Sequence, residues 1–244
     1  MRNPRIYTPQ TLVPDSTVEL DTEAAHHVAR VLRMRSGDAL TLFDGRGAEY
    51  PASIVNIDRK TVQVAIAAAH VVDRESPLAI HLGIAISKGE RMDWVIQKAT
   101  ELGVARITPL QSERVEVRLR GEREEKKAAH WQAVAIAACE QCGRNRIPAI
   151  DAPQALAVWL ADVEADAHFV LHHRSEHALS AYATPPHSVA LLIGPEGGLS
   201  DAEIALAEAQ NFAPLRLGPR VLRTETAPLA ALGILQFLWG DMRA

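Results

Sequence analysis

Two short loops near the C-terminal end of the sequence combine glycine and proline with charged residues. Residues 194–198 read GPEGG and residues 218–220 read GPR. Glycine lets a backbone approach a flat ligand closely, and proline restrains the loop. Arg223 and Glu225 follow the second loop, just before an apolar segment. Charged residues beside an apolar helix need a reason to be there, such as contact with a ligand. The pattern indicates a small-molecule site, although each Gly-Pro pair alone is also compatible with an ordinary turn.

Short apolar runs precede both loops and predict the strands that position them. Residues 189–193 read as a buried strand of an α/β sheet, and residues 214–217 read as a second strand. Ser200 and Glu203 have capping-box spacing, so a helix is expected to begin at Ser200. A final helix is expected to run from Thr226 toward Trp239. Both loops then lie at carboxyl ends of strands, which is where open α/β sheets bind small ligands.

The middle of the sequence predicts a parallel sheet. Residues 79–86 read as a buried strand, residues 88–90 open a helix with one apolar face, and residues 104–110 read as the next strand. This βαβ unit requires parallel strands. A further helix is expected over residues 153–163, followed by a short strand over residues 169–171.

The first 72 residues predict a small β-rich domain. Residues 40–43, 50–57 and 61–67 are strand-like, and short turns would join them as a meander. A helical segment over residues 22–32 precedes them, with Asp21 or Thr22 as its cap. Three arginines lie at or just beyond its end, where they either hold successive phosphates or form a solvated basic edge: Arg30, Arg33 and Arg35.

A charged stretch and a long helix follow the βαβ unit. Residues 112–127, which include Arg114, Arg118, Arg120 and Arg123, form either a solvated surface segment or an RNA-contacting loop. The helix is expected to run from Glu124 to about Gly143. Arg144 and Arg146 lie just past its end, where they either grip RNA phosphates or complement the helix dipole.

Cysteines and histidines do not form a defensible metal site. Cys139 and Cys142 have C-x-x-C spacing without a second pair, and they lie inside a helical pattern. Zinc needs more ligands, so inert thiols are favoured. Four histidines crowd together, but their spacing matches no metal motif: His168, His172, His173 and His177. We therefore expect no metal.

Composition limits the class of protein. The chain has 244 residues, 48% of them hydrophobic, with a net charge of −4. This charge excludes a uniformly basic surface, so any nucleic-acid binding must come from local patches. The sequence shows no apolar run of membrane-spanning length and no signal-peptide pattern. We expect a cytoplasmic location.

Five stretches of the chain resemble one family of enzymes. In chain order they read RVLRMRSGDALTLFDGRG, SKGERMDWVIQKATELGV, ACEQCGRNRIP, IGPEGGLSDAEI and LRLGPRVLRTETA. The last two resemble the cofactor-binding region of the SPOUT superfamily of S-adenosylmethionine-dependent RNA methyltransferases. Within that superfamily, the five together most resemble the RsmE family of 16S ribosomal RNA uridine-N3 methyltransferases.

The resemblance implies a fold and a cofactor. It implies a PUA-like, β-rich RNA-binding barrel domain over residues 1–72 and a SPOUT methyltransferase domain over residues 73–244. The second domain would be α/β, with a parallel sheet and a C-terminal trefoil knot, which periodicity alone does not indicate because knots are rare. S-adenosylmethionine would bind where three strands end, in contact with Leu171, His172, Ile193, Gly194, Pro195, Glu196, Gly197, Gly198, Leu217, Gly218, Val221, Leu222 and Thr226.

The resemblance also implies a reaction, which is methyl transfer to N3 of a uridine in 16S ribosomal RNA. Positioning should supply most of the catalysis. The imide must lose its proton, and the charge that develops on the flanking carbonyl oxygens needs a donor. Arg223 is the first choice for this donor and Arg220 the second. Glu225 or Glu196 would accept the proton, or would instead orient an arginine.

The implied partners are 16S ribosomal RNA in the small ribosomal subunit and a second copy of the chain. A homodimer would use the apolar final helix, residues 228–239, unless that helix merely packs on the sheet. Two other functions stay open: an RNA-binding assembly factor without catalysis, and a methyltransferase that acts on ribose 2′-OH or on transfer RNA. The RNA contacts are expected from Arg30, Arg33, Arg35, Lys88, Arg91, Arg144 and Arg146.

Overall fold

The computed structural model describes residues 3–59, 61–117, 119–172 and 185–243. The chain forms two compact units, one of residues 1–75 with 136–147 and the other of residues 76–135 with 148–244. The predicted domain boundary lies between residues 72 and 73, which places residues 136–147 in the second domain. In the structure these residues pack with the first unit, through side chains described below.

The first unit is a mostly antiparallel sheet with a short helical segment. Strands β3, β4 and β5 form the predicted antiparallel meander, β2 extends it beside β5, and β1 pairs in parallel with β3. Of the two predicted caps, Asp21 is the one that caps α1, by accepting from the backbone N–H groups of Glu23 and Ala24. Its elements are β1 (Arg5–Tyr7), β2 (Thr17–Glu19), α1 (Thr22–His26), a π-helix (His27–Val31), β3 (Ala39–Phe43), β4 (Ala48–Ile57), β5 (Val62–Ile66) and β6 (His70–Val71).

Alternating burial explains why these segments form strands. In β5, Val62, Val64 and Ile66 are buried while Gln63 between them is exposed. Successive side chains of a strand point to opposite faces, so this pattern places one face on the core. Val28 of the π-helix and Leu40 of β3 belong to the same core.

The second unit is a parallel sheet with helices. Its strand order is β10, β8, β7, β12, β11, β13, with β9 also beside β8. The described strands all pair in parallel, which confirms the prediction from the βαβ pattern. Its elements are β7 (Ala79–Ala85), α2 (Arg91–Glu101), β8 (Arg106–Gln111), α3 (Glu122–Cys142, which continues into the first unit), β9 (Ala149–Ile150), β10 (Gln154–Ala155), α4 (Leu156–Asp162), β11 (Ala167–Leu171), β12 (Ser188–Ile193), α5 (Asp201–Ala209), β13 (Ala213–Leu215) and α6 (Thr226–Trp239).

Two predicted elements differ from the structure. The strand expected over residues 214–217 ends at Leu215, because pairing with β11 stops at Leu171, and Leu217 therefore lies in the following loop. The helix expected over residues 153–163 begins only at Leu156, because Gln154 and Ala155 pair with β8. Among the described residues, no helix is both long and apolar enough to cross a bilayer.

Packing brings three strand ends together. Residues 189–193 of β12 are fully or almost fully buried, as expected for a strand covered on both faces. Strands β12, β11 and β13 are successive neighbours and run in the same direction. Their carboxyl ends at Ile193, Leu171 and Leu215 therefore lie along one edge of the sheet.

Candidate functional site

A cavity of about 770 Å³ lies at this edge. Its volume is within the range of small-molecule binding pockets. The walls come from the carboxyl ends of three strands, the two glycine-containing loops, the starts of α2, α5 and α6, and the segment after β8. They consist of Arg91, Arg114, Leu171, His172, Ile193, Gly194, Pro195, Glu196, Gly197, Gly198, Leu199, Asp201, Ile204, Leu215, Arg216, Leu217, Arg220, Val221, Leu222, Arg223, Thr224, Glu225 and Ala227.

The loop after β12 depends on glycine at two positions. A Cβ on Gly194 would lie 2.9 Å from Cγ of Leu199, which is too close for any larger residue without a shift. Gly198 has a φ of +69°, and no atom lies within 4 Å of the position its Cβ would occupy. The loop thus turns tightly and leaves its backbone next to open space.

The predicted capping box fixes the end of this loop. Ser200 Oγ accepts from the Glu203 backbone N–H at 3.2 Å, and the Ser200 N–H donates to Glu203 Oε2 at 2.8 Å. Both residues are buried. The first turn of α5 therefore has satisfied backbone groups and holds the loop rigidly at one end.

The second loop carries the predicted catalytic residues. Arg220 and Arg223 are exposed on the cavity wall, and Glu225 beside them is half-buried. The carbonyl oxygen of Arg223 accepts from the N–H groups of Thr226 and Ala227, both at 2.9 Å. These bonds join the loop to the first turn of α6, so the arginine backbone is held by the helix.

Two further arginines contact the first loop. Arg91 Nη1 lies 2.8 Å from Glu196 Oε1. Arg114 Nη1 donates to the carbonyl oxygens of Gly197 at 2.8 Å and Leu199 at 3.3 Å. The loop is therefore held from outside by side chains of other segments.

The structure places most of the predicted cofactor and catalytic residues around the cavity. Gly218 and Thr226 are not among its lining residues, whereas the other predicted ones are. The sequence singles out Arg114 only as part of a charged stretch. Its neighbour along that stretch, Arg118, lies outside the described residues. Sequence reasoning assigned no site role to Arg114, Leu199, Asp201, Ile204, Leu215, Arg216, Thr224 and Ala227, although the capping box and the loop sequences placed several of them nearby.

Four of the arginines expected to bind RNA are exposed on the first unit. Arg30, Arg33 and Arg35 are exposed, and Arg33 has a φ of +53°, which a bulky residue rarely adopts. Arg146 is exposed and forms an isolated antiparallel bridge with Arg46. The bridge brings the two backbones together, while the Arg46 guanidinium lies 3.9 Å from Asp44 and the Arg146 guanidinium lies over Gly47.

Lys88 and Arg91, also expected to bind RNA, both have ionic partners. Lys88 Nζ pairs with Glu116, and both side chains are largely exposed. Arg91 lines the cavity and pairs with Glu196. Exposed pairs of this kind contribute little to stability and exchange readily for other partners.

Arg144 is not the exposed phosphate ligand that the sequence predicts. It is only 5% exposed, and its guanidinium forms hydrogen bonds with both carboxylate oxygens of Glu75. The physical reason is a buried ionic network that secures residues 144–145 to the first unit. In this network Arg5 donates to Asn145 and to Glu49. Burial raises the pKa of Glu49, but hydrogen bonds from Arg74 and Arg5 lower it more, so its pKa lies below the usual value.

Cys139 is the buried thiol that the sequence predicts. A hydrogen bond with the Cys142 side chain, together with burial, raises the pKa of Cys139, which disfavours the reactive thiolate form. Among the histidines, His172 lines the cavity, and its backbone N–H donates to the Leu215 carbonyl at 2.9 Å. His173 and His177 lie outside the described residues.

Both units match known families. Residues 74–236 match the RNA methyltransferase domain, and residues 20–67 match the RNA methyltransferase PUA domain. The ribosomal RNA small subunit methyltransferase E of Buchnera aphidicola (subspecies Schizaphis graminum) is 38% identical over 99% of this chain and 98% of its own length. The Bacillus subtilis protein of the same name is 31% identical over 94% of this chain and 93% of its own length.

Solved structures agree with this. A Legionella pneumophila protein with bound S-adenosylmethionine is 49% identical and superposes with a TM-score of 0.96, covering 99% of this chain and all of that one. The Neisseria gonorrhoeae ribosomal RNA small subunit methyltransferase E, bound to S-adenosylmethionine, is 37% identical with a TM-score of 0.92 and the same coverage. With a domain match over most of the chain and relatives of this identity along its length, the chain belongs to the ribosomal RNA small subunit methyltransferase E family.

Proposed function

We propose that the protein transfers a methyl group from S-adenosylmethionine to N3 of a uridine in the 16S ribosomal RNA of the small ribosomal subunit. The observation that carries this proposal is the cavity at the strand ends, which is walled by both glycine-containing loops and by Arg223 and Glu225. Relatives of the chain are named for ribosomal RNA methylation, and similar structures contain S-adenosylmethionine.

The cavity fits this cofactor. Gly194 tolerates no side chain, while Gly198 and Gly218 have positive φ and open space where a side chain would be. Backbone groups of these loops can therefore reach a bound molecule directly. Apolar contacts would come from Ile193, Leu217 and Leu222. When bound, S-adenosylmethionine supplies an electrophilic methyl group on its sulfonium.

Arginines of the second loop would stabilise the charge that develops on the substrate. Loss of the N3 proton leaves negative charge on the two flanking carbonyl oxygens of uracil. Arg223 would donate to one of these oxygens, with Arg220 as the second donor, because both lie exposed on the cavity wall. A guanidinium offers several N–H donors in one plane, which suits a planar base.

Glu225 is the better candidate for accepting the proton. Glu196 Oε1 already accepts from Arg91 at 2.8 Å, so this carboxylate is engaged at the rim. Glu225 is half-buried on the cavity wall beside Arg223. We assign Glu196 the role of fixing Arg91 at the rim.

The RNA would be bound largely by cations of the first unit, which we propose as the RNA-binding domain. Arg30, Arg33, Arg35 and Arg146 are exposed, and Arg46 joins them through its bridge to Arg146. Both side chains are exposed cations on neighbouring backbone segments, which suits binding to an anionic phosphate backbone. Lys88 and Arg91 would contact RNA near the cavity, whereas the buried Arg144 would not.

We further propose the trefoil knot, a homodimer and a cytoplasmic location. The knot is supported by the family to which the chain belongs, in which residues after β13 would thread an earlier loop. The homodimer is supported by exposed apolar side chains on α6, of which Phe237 is 59% and Ile234 39% exposed. A cytoplasmic location follows from a ribosomal substrate.

Labelled methyl transfer to small ribosomal subunits, isolated from bacteria that lack this protein, tests the function. We expect mass spectrometry of the nucleosides to find the label in 3-methyluridine. Arg223→Ala should lower the rate about 100-fold, as for loss of an oxyanion donor, and the exposed Arg59→Ala, which should keep the wild-type rate, serves as the control. Label in a ribose methyl group, or cofactor binding without transfer to any RNA, would contradict the proposal.

A further inference from the structure

The loop after β12 contains three glycines and needs outside support to keep one conformation. Gly194, Gly197 and Gly198 give residues 194–199 more backbone freedom than any other residue type would. The capping box fixes only the end of the loop at Ser200. A cofactor held by backbone groups requires those groups to be oriented before it binds.

Residues 113 and 114 supply this support from the segment after β8. Arg114 donates to the carbonyl oxygens of Gly197 and Leu199, and its aliphatic stem lies along Gly197, with Cβ and Cδ each 3.5 Å from where a Gly197 Cβ would be. The Glu113 N–H donates to Glu203 Oε1 at 2.8 Å. Glu203 is buried, and its other oxygen accepts from the Ser200 N–H.

We propose that Arg114 is a positioning residue, which acts with Glu203 to hold the backbone of residues 194–199 in the conformation that binds the cofactor. The Arg114 guanidinium fixes the carbonyl oxygens of Gly197 and Leu199. The peptide planes that carry these oxygens also carry the Gly198 and Ser200 N–H groups, which donate to the Pro195 carbonyl and to Glu203. Both sides of these two peptide planes are therefore held, and the loop keeps one backbone conformation around the cavity. This inference rests on the proposed function because it takes S-adenosylmethionine as the ligand.

Calorimetric titration with S-adenosylmethionine tests the role. Arg114→Met keeps the stem against Gly197 and removes both hydrogen bonds. We expect its Kd to rise about tenfold, equivalent to about 1.4 kcal/mol. Arg114→Lys should restore part of the affinity, because an ammonium can donate to a carbonyl but lacks the planar fork. Arg120→Met, an exposed arginine of the same charged stretch, should bind like the wild type.

Steady-state kinetics should separate positioning from catalysis. We expect Arg114→Met to raise KM for S-adenosylmethionine and to keep kcat at saturation within about twofold of the wild type, since binding is weakened without loss of transition-state contacts. An unchanged Kd in Arg114→Met, or an unchanged KM with a lower kcat, would overturn the inference. Loss of cooperative melting in both Arg114→Met and Arg114→Ala would overturn it in favour of a purely structural role. A wild-type protein that does not bind the cofactor would instead defeat the proposed function.

Discussion

Charged residues around the cavity differ in what they already contact. Arg91 and Glu196 neutralise each other at the rim, and Arg114 is bonded to backbone carbonyls. Arg223 and Glu225 lie on the wall formed by the second loop. We therefore expect Glu225 and Glu196 to affect catalysis differently.

Glu225→Gln is expected to lower kcat about 100-fold, the usual effect of removing a general base. Its Kd for S-adenosylmethionine should not change, because the amide keeps the size of the side chain. Glu196→Gln is the matched control, and we expect it to keep kcat within about threefold of the wild type. Single-turnover methyl transfer measures both variants. An equal loss in Glu196→Gln would show that the two roles are wrongly assigned.

Asp151 should make stability depend on acidity. Burial raises its pKa, but the nearby His81 and hydrogen bonds from Arg106 and Thr108 lower it more, so the folded pKa lies well below normal. A depressed folded pKa stabilises the fold above the unfolded pKa of about 3.9, and this stability is lost as pH falls through the folded value.

We therefore expect Asp151→Asn to reduce the free energy of unfolding by about 2 kcal/mol at pH 7, with the difference shrinking steadily below about pH 4. Urea unfolding across this pH range measures it. Asp162→Asn, at an exposed site on α4, should match the wild type throughout. A difference for Asp151→Asn that did not change with pH would contradict the ionic explanation.

In the second unit, some glycines are needed because a neighbouring element packs directly against them, and others are not. Gly83 of β7 lies under Trp159 of α4, and a Cβ there would be 2.5 Å from Cη2 of the indole. At Gly233 of α6, by contrast, a Cβ would meet no neighbouring heavy atom within 4 Å outside its own helix turn. The same substitution should therefore have opposite effects in a strand under a helix and in an open helix face.

Gly83→Ala is expected to destabilise the protein by about 2 kcal/mol, because the fully buried indole must move. Gly233→Ala should stabilise it by about 0.5–1 kcal/mol, since alanine has the higher helix propensity. Thermal and urea unfolding compare the two variants. Equal changes of the same sign would contradict the packing argument.

At the scale of the whole molecule, most of the proposed RNA contacts and the proposed chemistry lie in different units. The cationic pair Arg46 and Arg146 belongs to the first unit, and the cavity belongs to the second. The apolar surface of α6 also belongs to the second unit. Variants of the cationic pair should therefore change the affinity for RNA, variants of the cavity the affinity for the cofactor, and variants of α6 the association of two copies of the chain.

The double variant Arg46→Ala/Arg146→Ala is expected to weaken binding to 16S ribosomal RNA about tenfold. The slope of log Kd against log salt should fall by about 2, corresponding to two lost phosphate contacts. The Kd for S-adenosylmethionine should stay unchanged. Filter binding at several salt concentrations measures the RNA affinity, with exposed Arg59→Ala as the control. An unchanged salt slope would exclude phosphate contacts by this pair.

Phe237→Asp is expected to convert a homodimer to monomers, because a carboxylate cannot be buried against an apolar partner surface. Light scattering coupled to size-exclusion chromatography gives the mass of each species. Val158→Asp changes a similarly exposed apolar residue on α4 and should leave the dimer intact. A wild-type protein that is monomeric at all concentrations would refute the proposed dimer.

The sequence by itself determined features that depend on residues close together in the chain. The Ser200–Glu203 capping box and the βαβ unit were predicted and are present, and the α1 cap is Asp21, one of the two residues that the sequence offered. The family motifs also located most of the cavity wall. Local hydrogen bonds and side-chain periodicity carry this information, so it can be read without the fold.

Only the tertiary structure decided which charged side chains have partners distant in sequence. Arg144 resembled a surface phosphate ligand, but Glu75 binds it inside the first unit. Arg114 belonged to a charged stretch that the sequence left between two interpretations, but it holds the carbonyl of Gly197, 83 residues away. The reason is that hydrogen bonding and ion pairing depend on distance in space, which the order of residues in a chain does not specify.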